Sequence, residues 1–565
     1  MSNLLWHGRE NGVCWLLIVI AALLLVLPMW LRGCPDGHDI LHHLIFSHHF
    51  TTQFWQGELY PRWLTQMNAG FGSPTFFFYA PLPFWITALL SAPFWIDQVT
   101  GYPLILAASL ALLASGISAY YWLRALTCRR YACPLALLYM ALPYHLLIDL
   151  YMRFAFAEFW SFVWVPLIFL GLRQLMQAQA SGRLLLPMAL ALQVMTHLPT
   201  FITLLPVLGG YALLLTRRSA WRRLLTALLA MLLGVLLSAI YWLPAMTTQH
   251  YVSMPSMYVG FLYYANSFLD SWPSLALGFT FRRYLTFALT LTAALAASVW
   301  LARRYAPEWR AERNFWLGSL LFVLFMMFPV SKPLWDLLPV LQKIQFPWRF
   351  GTLLTFASLS LIAVSLNGKP RTRQRRTARM ASYLAGMILL LLLGSEALVG
   401  FRPAFLQPVS HAMIYKTLQL ARSPLEYRPR DVPPELFSKT MLGDFSRRTP
   451  WVSSPSTTLG WQQLTWQGRR IRLQISTPEA TVLTLHHFYY PGWQASNSEG
   501  KPLSVTPSAE GLLQVALPAG DYELTLQLLP LPAERAGLTL SLLGLLSWLL
   551  WLARSLRSHK KEGSC

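Results

Sequence analysis

The feature that most limits how this chain can fold is a ladder of apolar runs, each close to the length that crosses a bilayer. A spanning helix needs about 20 predominantly apolar residues. Candidate spans lie at 13–31, 76–95, 103–125, 132–148, 155–173, 184–197, 199–216, 223–245, 284–302, 314–330, 351–366, 381–401 and 536–555. Composition agrees: 55% of the 565 residues are hydrophobic and only 12% are charged, where soluble domains average about 25% charged. The chain reads as an all-α polytopic membrane protein. Its net charge of +22 would by itself suit nucleic acid. The charges instead fall in short clusters between apolar runs, as positive-inside signals do. The membrane, and not a nucleic acid, is the expected partner.

Those clusters sit at 129–130, 173–183, 217–223, 303–313, 369–379 and 554–561. With them in the cytoplasm, every run is placed consistently except within 76–125. Two runs there must give one net crossing, so one is re-entrant, interfacial or short. About 12 helices then cross, with both termini inside. Residues 13–31 read as an uncleaved first span, because no small-residue cleavage site follows. The five cysteines include no Cys-x-x-Cys pair, so neither a disulfide framework nor a cysteine metal site is expected.

Residues 402–533 carry a different pattern. Ile471-Leu473-Ile475, Leu483-Leu485, Leu513-Val515-Leu517 and Tyr522-Leu524-Leu526-Leu528 alternate with period two, and Pro491-Gly492 and Glu499-Gly500 punctuate them. This predicts a small β-sandwich. The expected organisation is a transmembrane domain over 1–401 with its first extracytoplasmic loop at 32–85. An extracytoplasmic β-sandwich follows over 402–533, then a last helix and basic cytoplasmic tail over 534–565.

The chemistry-bearing residues gather in loops expected outside the cytoplasm. The first loop holds Asp36, Asp39, His38, His42, His43, His48, His49 and Gly57-Glu58-Leu59-Tyr60-Pro61-Arg62-Trp63. Asp39 opens an amphipathic segment and would share a helix face with His43. A carboxylate there can take a proton from a hydroxyl; alternatively, Asp36 or Asp39 caps the helix. His38 and His42 have zinc-ligand spacing, but no His-Glu-x-x-His pattern accompanies them. Extracytoplasmic loops should be poor in cations, yet they carry Arg62, Arg153, Arg282, Arg283, Lys343 and Arg349. Arginine suits bidentate phosphate binding; snorkelling, or pairing of Arg153 with Asp149 or Glu158, is the plainer use. The acids Asp149 and Glu158 suit orienting an acceptor, holding a divalent cation or a structural ion pair. His197 is either a turn residue or part of a site. The expected catalytic acids are therefore Asp39, Asp36, Asp149 and Glu158. The expected substrate-binding set is Tyr60, Arg62, Arg153, His197, Gln345, Trp348 and Arg349.

Together these stretches resemble a known group. The first loop with Gly57-Glu58-Leu59-Tyr60-Pro61-Arg62-Trp63, then Asp149-Leu150-Tyr151-Met152-Arg153 with Glu158, His197-Leu198-Pro199-Thr200, Tyr241-Trp242-Leu243-Pro244 and Gln345-Phe346-Pro347-Trp348-Arg349, resemble bacterial membrane proteins labelled 6-pyruvoyl-tetrahydropterin synthase-related. Tyr490-Pro491-Gly492-Trp493 followed by Leu517-Pro518-Ala519-Gly520 resembles the end of YfhO-type membrane proteins. Both groups look like members of the GT-C superfamily of glycosyltransferases. The resemblance implies sugar transfer from a polyprenyl-phosphate-linked donor to an envelope glycan, lipid or protein, at the outer face of the bacterial cytoplasmic (inner) membrane. It implies an essential acid at Asp39, or else Asp36, and a lipid-phosphate contact at Arg349. Some members carry a second acidic motif where Asp149 and Glu158 stand here, without Asp-x-Asp or Asp-x-Glu, so a divalent cation stays open. A lipid-linked glycan transporter and a non-catalytic envelope-assembly protein are the competing readings. A flippase would place polar residues near mid-membrane, whereas here they collect at one face.

Overall fold

In the computed structural model the first apolar run forms α1 (Gly8–Arg32). It buries Cys14, Ile18, Ala22, Val26 and Met29 at helical spacing and turns Leu16, Leu23, Leu24, Leu27 and Leu31 outward. One buried stripe seats the helix on its neighbours; the outward leucines would be costly in water and suit hydrocarbon. The structure describes residues 8–92, 101–216, 221–269, 278–303, 306–367 and 408–562. The expected span at 381–401 and the side chains of Arg282 and Arg283 lie outside the described residues.

After α1 the chain forms α2 (Ile40–Trp55), then two short helices, α3 (Thr75–Phe78) and α4 (Leu82–Leu90). Neither is long enough to cross a bilayer, so the described part of the apolar stretch at 76–95 is the short run. Prolines cause this. Pro74 and Pro81 cap the two helices, and a proline disfavours helical backbone in the residue before it. The helix here that is long and apolar enough to cross is α5 (Tyr102–Leu126). Next come α6 (Arg129–Ala141), a π-helical turn at Tyr144–Met152, α7 (Phe156–Met176), α8 (Ser181–Thr196) and α9 (Leu198–Thr216). They are followed by α10 (Trp221–Leu237), α11 (Ala239–Thr247), α12 (Gly278–Ala302) and α13 (Arg310–Met327). The short α14 (Lys332–Leu337) and α15 (Pro339–Gln342) lead to α16 (Gly351–Leu366).

Among the described residues eight helices are long and apolar enough to cross a membrane, and up to ten if each bent pair is one span. The bent pairs are α10–α11, at 71°, and Pro307–Met327 with Pro329–Leu337, at 89°. The expected run at 184–197 forms α8, whose 16 residues fall short of that length.

Residues 408–448 hold two further helices, α17 (His411–Leu420) and α18 (Lys439–Arg448). The strands follow. They are β1 (Val452–Ser453), β2 (Gly460–Gln467), β3 (Arg470–Thr477), β4 (Thr481–Phe488), β5 (Trp493–Ser496), β6 (Pro502–Leu503), β7 (Val505–Pro507), β8 (Leu512–Leu517) and β9 (Gly520–Leu528). They form antiparallel sheets ordered β1-β4-β8-β7 and β2-β3-β9-β5-β6. Alternation sets the register. Ile471 faces Leu526 and Leu473 faces Leu524 in one sheet; Leu483 faces Val515 and Leu485 faces Leu513 in the other. All eight are buried. A one-residue slip would turn them all to water. The last helix, α19 (Pro532–Glu562), closes the chain and packs on α10 and α11.

The first loop ties the small β region to the helices. Trp63 Nε1 donates to His487 Nε2 at 3.0 Å, Thr65 Oγ1 donates to the Gly468 carbonyl at 2.8 Å, and the Phe488 N–H donates to the Phe71 carbonyl at 2.7 Å.

Candidate active site

The turn between the π-helical segment and α7 provides the centre of the site. A π turn is rare and recurs at functional sites. Here it ends at Met152 and leaves Arg153 at the corner. Arg153 Nη1 lies 2.9 Å from Asp149 Oδ1 and 2.9 Å from Glu158 Oε2. Both acids are fully buried, at 0% and 1% side-chain exposure. Burial disfavours the charge on Arg153, but Glu158, Asp149 and Asp39 outweigh it and hold the guanidinium charged. Glu158 is shared further. Tyr144 Oη donates to its Oε1 at 2.8 Å, Thr352 Oγ1 lies 3.5 Å from the same oxygen, and Arg349 Nε lies 3.5 Å from Oε2. Gly351 makes room for this. A Cβ there would stand 2.3 Å from the Tyr144 ring, well inside contact distance.

Asp39 reaches the cluster through backbone pairing. The His38 and Asp39 N–H groups donate to the Met152 and Arg153 carbonyls at 3.1 and 2.8 Å. Gly37 permits the approach, since a Cβ would sit 3.0 Å from the Arg153 carbonyl. Asp39 holds the cap position of α2, yet its side chain makes no capping bond. Its carboxylate is 41% exposed and lies 3.9 Å from Arg153 Nη2. Asp36 is exposed at the same turn.

Arg349 lies in the 3-10 turn Pro347–Phe350 ahead of α16. Its Nη1 donates to the Ile344 carbonyl at 2.7 Å and to Gln345 Oε1 at 3.3 Å, and its guanidinium rests 4.9 Å from the Phe346 ring centre. Phe346 in turn stacks on Trp348 at 4.7 Å. Gln345 and Phe154 both have positive φ, +66° and +52°. Such backbone costs of order 1–3 kcal/mol and persists where surroundings over-determine it; here it flanks both site arginines.

His197 is the single extended residue between α8 and α9. Its Nδ1 pairs with Thr200 Oγ1 at 2.7 Å. Burial, and then Arg349, push its pKa down to about 3, so the ring is neutral. Tyr79 is partly buried beside these charges, and desolvation followed by Asp39 raises its phenol.

Among the expected site residues, the structure brings together Asp39, Asp149, Arg153, Glu158, His197, Gln345, Trp348 and Arg349. Tyr60 and Arg62 sit elsewhere. Arg62 Nε pairs with Glu534 Oε2 at 2.9 Å, its Nη2 donates to the Ile240 carbonyl at 2.7 Å, and it lies over the Tyr60 ring at 3.8 Å. That arginine joins the first loop to α19. Tyr144, Thr352 and Tyr79 also belong to the cluster; Tyr79 lies in the Phe78-Tyr79-Ala80-Pro81-Leu82 stretch, while Tyr144 and Thr352 carried no motif signal beyond standing beside proline and glycine breaks at helix ends.

The first-loop histidines do not gather at one point, although the neighbouring His48 and His49 rings lie 5.0 Å apart. His38 packs on Phe281, with ring centres 5.0 Å apart, and His42 tilts over Phe46 at 6.2 Å. Burial lowers His43 to about 4. Among the described residues, no three His, Cys, Asp or Glu side chains gather as a metal site.

Residues 76–404, more than half of the chain, match the family described as 6-pyruvoyl-tetrahydropterin synthase related domain, a membrane protein family. The chain belongs to that family. The match covers Asp149, Arg153, Glu158, His197, Gln345, Trp348 and Arg349, and stops short of Asp36, Asp39, Tyr60 and Arg62. No curated protein matches the chain.

Proposed function

We propose that this chain is a GT-C-type glycosyltransferase of the bacterial inner membrane, using a polyprenyl-phosphate-linked sugar to modify an envelope glycan, lipid or protein. Its scaffold is about 12 crossings with both termini in the cytoplasm and an extracytoplasmic β-sandwich. The observation that carries the reading is Asp39, an accessible carboxylate fixed beside a charged arginine where several helix ends meet.

In this scheme the acceptor hydroxyl oxygen bonds to the anomeric carbon of the donor sugar while its proton passes to the Asp39 carboxylate. The bond from that carbon to phosphate breaks, and polyprenyl phosphate leaves with the electron pair. Arg349 and Arg153 stabilise the phosphate charge as it develops, which is usually the larger catalytic contribution. Asp149 and Glu158, being buried, act as positioning residues for the two arginines. Arg62 serves the fold in this scheme.

The test uses full-length protein in lipid nanodiscs with undecaprenyl phosphate carrying a radiolabelled hexose, and envelope fractions as acceptor. Transfer with release of undecaprenyl phosphate is expected from the parent and not from Asp39→Asn, which keeps size but cannot take the proton. Equal turnover by both would sink the general-base role and favour the transporter or assembly readings.

A further inference from the structure

Between α2, α17 and the start of β1 lies a cleft of about 390 Å³. Small-molecule pockets run from about 300 to 1,000 Å³, so the space suits a ligand. His48, His49, Thr52, Gln66, Gln419 and Trp451 line it. The cleft stands apart from Asp39: at 1.5 Å per residue along α2, its lining lies about 14–20 Å further on.

The lining has one chemical character. Its polar groups are amides, a hydroxyl and imidazoles, with no carboxylate, lysine or arginine among them. His49 is only 8% exposed, and its Nε2 has no hydrogen-bond partner among the described residues; His48 Nδ1 is likewise unpartnered. Unmet buried polar atoms are costly unless a ligand or water meets them. Burial lowers both histidines, His49 to about 3, so both rings are uncharged. At the rim Trp451 is 48% exposed. It is held rigidly: its carbonyl accepts from the His486 N–H at 2.9 Å, and the His486 ring lies 4.8 Å from its own ring and 3.7 Å from Phe71.

A fixed aromatic face beside neutral hydrogen-bonding groups matches a sugar, which offers an apolar C–H face to a ring and hydroxyls around its edge. An anion would find no counter-charge here. We propose that this cleft is a carbohydrate subsite holding a neutral sugar unit of the acceptor glycan, with Trp451 as its stacking platform. The acceptor role rests on the glycosyltransferase reading; sugar binding itself does not. The distance from Asp39 means the cleft grips the body of an oligosaccharide and not its reacting end.

The test is saturation-transfer NMR on full-length protein in nanodiscs with cellobiose, chitobiose, lactose and mannobiose, each at about 10 mM, tenfold above a millimolar Kd. At least one disaccharide should receive saturation from aromatic protons. Trp451→Ala should weaken its binding about tenfold, Trp451→Phe should largely retain it, and His49→Gln should fall between. Trp451 is half exposed, so unchanged thermal unfolding of Trp451→Ala is expected alongside. No transfer to any of the four sugars overturns the proposal, as does parent-like binding by Trp451→Ala. Asp39→Asn should bind the disaccharide normally, so the cleft and the transfer chemistry fail separately.

Discussion

The Asp39 N–H donates to the Arg153 carbonyl at 2.8 Å, and the two side chains meet as an ion pair at 3.9 Å. One residue is thus held to the other twice, through backbone and through charge. The backbone bond fixes where the carboxylate stands. The longer ionic contact leaves its oxygens open to the surroundings, with the side chain 41% exposed. Arg153 is itself locked by Asp149 and Glu158, so the position of Asp39 is inherited from two fully buried acids.

Glu158 should therefore matter for stability as well as turnover. It accepts from Tyr144 and Arg153 and pairs with Arg349, all while 1% exposed. Removing one partner of a buried pair typically costs about 3–5 kcal/mol, because the remaining charge is stranded. Glu158→Ala should lower the thermal unfolding midpoint of the detergent-solubilised protein clearly more than Asp39→Asn does. Matching midpoints would show that Arg153 and Arg349 do not depend on Glu158.

Acid should destabilise the protein before its carboxylates titrate. His43 is lowered to about 4, and His49, His197 and His487 to about 3, in each case first by burial. The unfolded chain takes up protons on these rings near pH 6.5, while the folded state excludes them. Stability is therefore complete above about pH 6.5 and falls as pH drops towards about 4 and then 3, by up to about 1.4 kcal/mol per pH unit for each histidine. Unfolding midpoints at a series of pH values from 7.5 to 4.5 should decline steadily. Replacing His43 with Phe should flatten the slope, and a flat parent profile above pH 5 would refute the account.

Much of this architecture was legible because bilayer-length apolar runs declare themselves locally. The stretch 76–95 shows the limit. Its hydropathy suits a span, but Pro81 and its neighbours divide it into α3 and α4. Period-two alternation located β3, β4, β8 and β9; α17 and α18, in the same expected domain, carry no such pattern. In the site, residue types were readable and partners were not. Arg62 carried the same cationic signal as Arg349, yet Glu534, far along the chain, claims it. Tyr144 and Thr352 joined the cluster only because chain breaks turned them towards Glu158.

Arg349 offers the sharpest separation of charge from shape. Its Nη1 donates to Ile344 and Gln345, its Nε faces Glu158, and its plane lies over Phe346. Lysine keeps the charge but loses the fork and the flat face. Arg349→Lys should therefore bind the polyprenyl-phosphate donor more weakly than the parent and more tightly than Arg349→Ala. Losing a charge-assisted contact costs about 1.5–3 kcal/mol, roughly ten- to a hundredfold in donor affinity for the alanine variant. The measurement is donor titration in nanodiscs at constant protein level, with thermal unfolding run in parallel. Parent-like donor binding by Arg349→Ala, with a lowered unfolding midpoint, would make the residue structural and pass the phosphate contact to Arg153.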